Sequence, residues 1–210
     1  MLLNGASRPP RTYRTSEQTK ASILQKAIEL FNENGTAAVS MNTLSEAVGI
    51  SPGNLQYHYR SKKDVIRAIL EALFKQFDVI YEPGKEPFSL DTLRRIMRLN
   101  FDLVWKYRFF YRESAALLHA DPILADRFRE IQEIRLEQQE ALLKRLAAAG
   151  RVRTVLLPDE FHKIVHMGWV LVHTWLPFTE STGQSIDEEA LEQAVEIMVQ
   201  FYEPYIGDQS

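Results

Sequence analysis

Apolar residues recur at intervals of three and four along almost the whole chain, and this spacing restricts the fold more than any other feature. Between Ser16 and Asn34 they fall at Ile23, Leu24, Ala27, Ile28, Leu30 and Phe31, which places them on one face of an α-helix. Ser16 is the expected N-cap of this helix, and Asn34-Gly35 supplies its stop. A short helix follows from Ser40, with Leu44, Ala47 and Val48 facing inward, Gly49 ending it and Ile50 packing behind it. Ser51 then caps a second short helix from Pro52 to about His58, with proline at the first position, where a missing N–H costs nothing. Ser61-Lys62-Lys63-Asp64 opens a longer helix carrying Val65, Ile66, Ile69, Leu70, Leu73, Phe74 and Phe77. The stretch Glu82 to Pro87 is a break. Five more helices are expected at 89–106, 109–119, 122–148, 159–178 and 187–205, separated by Asp121-Pro122, by residues 150–158 and by residues 180–184. No useful stretch alternates as a strand does, and there is no internal repeat or low-complexity tract. The expected fold class is all-α, with about nine helices.

The chain has 210 residues, enough for one large or two small domains, and no cysteine. Disulfides, thiolate metal sites and cysteine nucleophiles are thereby excluded. No apolar stretch approaches the roughly 20 residues of a membrane span, and no signal-peptide core follows Arg8, Arg11 and Arg14. A soluble, cytoplasmic protein without a membrane partner is expected. The formal net charge of −3 is unevenly divided. Residues 1–75 hold 10 Lys+Arg against 6 Asp+Glu, a net +4, whereas residues 76–210 hold 15 against 22, a net −7. A basic head on an acidic body suits a chain with one end directed at a polyanion. The organisation expected is a mobile basic arm over 1–15, a helix-turn-helix domain over 16–70 and a helical body over 71–210.

Two short helices joined by a glycine turn can lay the second helix in a DNA major groove. Ala47 is small enough for close crossing, Gly49 permits the turn, and Ile50 and Leu55 pin the pair. The outer side of the second helix offers Ser51, Asn54, Gln56, Tyr57 and His58. Asn and Gln can read adenine edges, and Tyr and His can reach phosphates or thymine methyls. Thr43 can bond a phosphate. So can the start of the helix near Lys62, where free N–H groups and the helix dipole favour an anion and the lysine adds charge. Together with Gly53, the candidate DNA-contacting set is Thr43, Ser51, Gly53, Asn54, Gln56, Tyr57, His58 and Lys62. The bland reading is a polar surface helix with no partner; the whole pattern, from the preceding helix to Ser61-Lys62-Lys63, weighs against it.

The run Ile23-Leu24…Ala27…Leu30-Phe31…Gly35, then Leu44-Ser-Glu-Ala-Val-Gly-Ile-Ser-Pro-Gly-Asn-Leu55, then Tyr57-His-Tyr-Arg-Ser-Lys62, closely resembles the DNA-binding domain of the tetracycline-repressor (TetR) family. The match covers residues 16–70. Trp105-Lys-Tyr-Arg-Phe-Phe-Tyr-Arg-Glu113, with Leu117-Leu118 and Asp121-Pro122, is similar to one subgroup of these regulators. The resemblance implies a homodimer that binds a near-palindromic operator and represses genes until a small molecule enters the C-terminal domain. Gln56 departs from the family, which often has an aromatic residue there, so the family's contact is not carried over to it. Two other classes compete: a helical protein-interaction module without DNA binding, and a helical enzyme. No nucleophile elbow, phosphate loop or His-Glu-x-x-His motif is visible, so no catalytic residue is assigned and no enzyme is expected.

By resemblance, residues 159–178 and 187–205 pair with their mates in a four-helix dimer bundle. Leu191, Val195, Met198, Val199 and Tyr202 form an apolar stripe at helical spacing; taken without the resemblance, the stripe favours packing inside the same chain. The body is rich in large side chains, among them Tyr111, Met167 and Trp175. Pockets are typically apolar with a few placed polar groups, and Trp105, Phe109, Phe110, Phe128, His166, Trp169 and His173 are the candidates for an unknown small apolar or aromatic ligand. Core filling is the competing reading for each. His162, His166 and His173 share one side of a helix. His173 lies about 10 Å along the axis from His166, so one metal could take only His162 and His166, with no cysteine to complete the set. A polar lining, or ordinary part-buried histidines, are the other readings; no metal or cofactor is assigned.

Overall fold

The computed structural model describes residues 15–80, 88–152 and 157–206. Apart from Thr15, the basic arm expected over 1–15 lies outside them. The described residues form nine α-helices and no strand: α1 Ser16–Ala38, α2 Met41–Val48, α3 Pro52–His58, α4 Lys62–Ile80, α5 Leu90–Lys106, α6 Arg108–Ala120, α7 Pro122–Ala148, α8 Pro158–Ser181 and α9 Glu188–Tyr202, with a 3-10 turn over Glu203–Tyr205. The chain divides into two compact units between Val65 and Ile66, inside α4.

Side chains at the helix ends set most boundaries. Thr15, not Ser16, caps α1: its hydroxyl accepts the Gln18 N–H at 3.3 Å, and the Gln18 amide oxygen accepts the Thr15 N–H at 2.9 Å. This reciprocal box needs Glu or Gln three residues after the cap, which Thr15 has and Ser16, followed by Thr19, lacks. Gly35 interrupts α1 with φ 75° and ψ 158°, a conformation glycine reaches without a Cβ clash. Ser40, Ser51, Ser89, Asp121 and Asp187 cap α2, α3, α5, α7 and α9. Helix α8 runs past its expected end and carries Pro177 in its interior. A proline has no N–H, so the carbonyl of His173 loses its helical donor there.

In the first unit α1 packs on α2, and α2 on α3. Ile23, Ala27, Ile28 and Phe31 of α1 are buried, as are Leu44 and Leu55, one from each short helix. The inward residue beside Leu44 is Ser45, while Ala47, expected to face the crossing, is exposed and Ile50 is half-buried. Ser45 tolerates burial because its hydroxyl donates to the Asn42 carbonyl at 2.8 Å.

In the second unit α9 packs along α5, α7 packs along α8, and α6 touches both α7 and α8. Leu93, Met97, Phe101 and Val104 of α5 are buried, and so are Leu191, Ala194, Val195, Met198 and Val199 of α9. The stripe expected as a dimer face is therefore used inside the chain, with Tyr202 half-buried at its end. Arg98 pairs with Glu188 and Glu192, and Arg94 with Glu196, along the rim of the α5–α9 contact. Exposed pairs of this kind are worth about 0–1 kcal/mol each, so the apolar faces hold the helices and the charges fix their register. Helix α4 is tied to α7 and its cap by Arg67 on Asp121 (2.8 and 2.7 Å), Glu71 on Arg127 (2.6 Å) and Asp78 on Arg135.

Candidate nucleic-acid interface and interior cavity

The α2–α3 turn is closed by backbone geometry. Gly49 takes the left-handed conformation (φ 76°, ψ 35°), and its N–H reaches the Ser45 and Glu46 carbonyls while the Ile50 N–H reaches Ser45. Carbonyls left over at the end of α2 are thus satisfied within two residues, which lets the chain turn at once into α3. Leu55 anchors α3 and is 1% exposed. The other side presents Gly53, Asn54, Gln56 and Tyr57 to solvent, with His58 half-buried. Tyr57 is 83% exposed, and its ring meets His58 edge-on at 5.2 Å. No acidic residue lies on α3. Ser51 and Thr43 are exposed, but both already serve as caps or cap partners: the Ser51 hydroxyl accepts the Asn54 N–H at 3.2 Å, and the Thr43 hydroxyl meets that of Ser40 at 2.8 Å.

Lys62 differs from expectation. Its ammonium is turned inward and donates to the carbonyls of Thr36 (2.5 Å) and Val39 (3.0 Å), which follow the Gly35 break. The start of α4 is also less open to an anion than a bare helix end. The Ser61 hydroxyl accepts the Asp64 N–H at 3.3 Å and donates to the Asp64 carboxylate at 2.9 Å, so a negative charge already sits there. Arg60, just past α3, is an exposed cation that periodicity did not single out; a basic residue directly after the motif was the available signal.

The second unit encloses a cavity lined by residues of α4 to α9. With its open mouth and the solvent there included, the empty space is about 670 Å³. The part that admits the centre of a water is only about 60 Å³, still several times the roughly 10–15 Å³ that one water needs. The smaller figure decides what fits without side-chain movement, so the cavity suits a compact molecule. Four of the seven expected ligand residues, Phe110, Phe128, Trp169 and His173, line it. The other three do not. Trp105 lies under the Arg108 guanidinium at 4.4 Å, Phe109 is buried in the core, and His166 is exposed beside His162, with ring centres 5.1 Å apart. His162 faces Glu140 at 3.3 Å. The three histidines share a helical side yet not an environment, because that side passes from solvent to interior along α8. Sequence reasoning missed Asn100, Arg135 and Gln139 of the polar lining, each among charged or amphipathic neighbours that periodicity reads as surface, while Tyr202, the end of the α9 stripe, also lines the cavity.

His173 is the chemically distinctive wall residue. Its ring stacks on Trp169 (4.9 Å, 17°) and meets Tyr111 and Phe128 at 5.3 and 5.6 Å. Burial pushes its pKa down to about 4, because a charge there would lose its water. The imidazole is therefore neutral at pH 7.

A helix-turn-helix with a polar outward helix, on a chain whose second unit is a helical body with an apolar cavity, defines a DNA-binding transcriptional regulator. The model of the TetR N-terminal domain, "Bacterial regulatory proteins, tetR family", matches residues 23–69, and the TetR "Bacterial transcriptional repressor" model matches residues 68–210. The chain belongs to the TetR family of bacterial transcriptional regulators. The HTH-type transcriptional regulator TtgR of Pseudomonas putida is 26% identical over 194 residues, covering 85% of this chain and 90% of that one. RutR of Escherichia coli is 23% identical over 193 residues, covering 87% and 88%. The crystal structure of a TetR-family regulator from Marinobacter aquaeolei VT8 superposes with a TM-score of 0.78 at 29% identity, covering 90% and 91%. The family is regulatory, and no helix among the described residues is long and apolar enough to cross a membrane.

Two expectations follow. Replacing Lys62 by Met leaves the Thr36 and Val39 carbonyls without their charged donor and should lower stability by about 1.5–3 kcal/mol, read from urea denaturation; an unchanged midpoint would show the lysine to be dispensable to the fold. For His173, the folded pKa of about 4 lies below the ordinary 6.5. Between these values the unfolded chain holds a proton that the folded one does not, so stability is full above about pH 6.5 and falls on acidification. At pH 5 the loss from this group should be about 2 kcal/mol, and His173→Phe should remove that share of the difference in urea midpoint between pH 7.5 and pH 5.

Proposed function

We propose that this regulator binds a near-palindromic operator as a homodimer and leaves it when a small apolar or aromatic molecule occupies the cavity. Residues 16–70 serve as the DNA-binding domain, helped by the basic arm over 1–15, and residues 71–210 bind ligand and dimerise. The protein works in the cytoplasm and acts by occupancy of DNA, without catalysis. The observation that carries this reading is α3, a short helix without acidic residues that leaves Tyr57 83% exposed beside Asn54 and Gln56. Thr43, Ser51, Gly53, Asn54, Gln56, Tyr57 and His58 make the contacts, with Arg60 supplying phosphate charge in place of Lys62. Two recognition helices must meet half-sites roughly 34–36 Å apart, and a ligand changes that fit only by binding one conformation better than another.

The dimer face proposed is the outer side of α8 and α9. Met167, Val170, Thr174 and Phe178 follow one another on one side of α8, and Phe178 is 69% exposed; Ile197 on α9 is 50% exposed. Apolar side chains clustered in this way mark an interaction surface.

Binding of the purified protein to the DNA upstream of its own gene should be specific and should weaken steeply as salt rises, because phosphate contacts release counterions. Tyr57→Ala should weaken operator binding about tenfold or more with an unchanged melting temperature. Native upstream DNA that binds no better than random DNA would overturn the reading. In sedimentation the protein should be a dimer at micromolar concentration, and Phe178→Asp should yield monomers of unchanged helix content; a monomeric wild type would refute the proposed face.

A further inference from the structure

We infer that the cavity takes an uncharged, planar ligand bearing a ring hydroxyl, held by a hydrogen bond to Nε2 of His173 and by the aromatic wall around it. The inference rests on the reading of the cavity as the ligand site, and it names the class of molecule.

Nε2 of His173 is buried and has no hydrogen-bond partner, the single side-chain nitrogen or oxygen in that condition among the described residues. A buried polar atom without a partner is destabilising, because it has given up its water and gained nothing in exchange. The ring is wedged between Trp169, Tyr111 and Phe128, so it cannot turn to find a partner without breaking three ring contacts. A molecule that brings a polar atom to Nε2 recovers that cost. A hydroxyl both donates and accepts, so it suits either neutral tautomer, whereas a carbonyl suits only one.

The charge of the ligand follows from its surroundings. The imidazole is neutral and offers no cation. Among the described residues Arg135 is the one charged residue of the cavity wall, and its guanidinium is already engaged by the Asp78 carboxylate, the Phe74 carbonyl at 3.2 Å and the Gln138 amide oxygen at 2.9 Å. A carboxylate ligand would have to take Arg135 from Asp78 and desolvate its own charge among aromatic rings. An uncharged ligand meets neither cost.

The wall also sets the shape. Phe110 and Phe128 pack on each other at 5.5 Å and 55°, and with Tyr111 and Trp169 in the same lining they make the wall predominantly aromatic, a surface suited to a further ring. A second, smaller cavity shares Met97, Gln139 and Tyr202 with the first and is otherwise lined by apolar side chains such as Leu93, Leu142 and Leu146. The Tyr202 hydroxyl closes the shared wall over Gly168, where a Cβ would lie 2.0 Å from it. A short alkyl group on the ring, opposite its hydroxyl, can extend toward this apolar side.

The test is calorimetric titration of the full chain at pH 7.5 with 4-propylphenol, propylbenzene and 3-phenylpropionate. The phenol should bind about tenfold more tightly than propylbenzene, the ratio expected for one recovered hydrogen bond, and the carboxylate should bind most weakly. In His173→Phe the phenol should fall to the level of propylbenzene, while His173→Gln, which keeps a hydrogen-bonding group, should retain part of the preference. Equal binding of phenol and propylbenzene, tighter binding of the carboxylate, a preference that survives His173→Phe, or no binding by any of the three overturns the assignment. Operator release is measured separately. A phenol that binds through His173 yet leaves DNA bound supports this ligand class and refutes control by the cavity. Release by another molecule, with no phenol preference, does the reverse.

Discussion

Burial of the α9 stripe against α5 is the contact on which the second unit is built. Leu191, Ala194, Val195, Met198 and Val199 are all withdrawn from water, and at about 25 cal/mol per Å² of apolar surface such a seam dominates over the rim of exposed ion pairs. Once α9 is committed to α5, its opposite side must face outward, carrying Ile197. Met198 and Tyr202 come to line the cavity. One packing decision therefore fixes both an interior wall and an outer face.

The first unit is small and meets a different constraint, the accounting of backbone groups at helix ends. Three breaks, at Gly35 inside α1, at Gly49 and at Tyr59, punctuate the run of four helices. Each is closed by a specific partner: the Lys62 ammonium on the carbonyls after Gly35, the Gly49 and Ile50 N–H groups on α2, and the Tyr59 N–H on Leu55. With these ends satisfied from within, α3 can leave its whole outer side polar and unoccupied. The lysine nearest the motif stabilises the platform, and the exposed residues before it face outward.

Much of this was legible in the sequence, and the failures are of one kind. Periodicity states which side of a helix is apolar, and the helices fall close to where it put them, α3 to the residue. It does not state what covers that side. The α9 stripe by itself favours packing inside the chain and the family resemblance favours a partner subunit; the structure places it against α5. Angle on a helix likewise says nothing about height: His162, His166 and His173 point the same way, yet only the last reaches the interior. Ala47 and Ser45 were exchanged because hydrophobicity ranks alanine inward, whereas a serine that bonds its own helix is as easily buried. Arg135 and Lys62 were unreadable as interior groups, since their partners are Asp78, Phe74, Thr36 and Val39, distant or unremarkable in sequence. The family pattern read over residues 16–70 is specific, and the N-terminal family model matches residues 23–69.

The burial of His173 has a consequence for the charge of the cavity wall. A group that stays uncharged until about pH 4 does not register acidity anywhere in the neutral range. A surface histidine with an ordinary pKa would gain charge as the pH fell through its midpoint. Here desolvation alone prevents that, so the charge of the cavity wall at this ring stays constant when its surroundings drift by a pH unit.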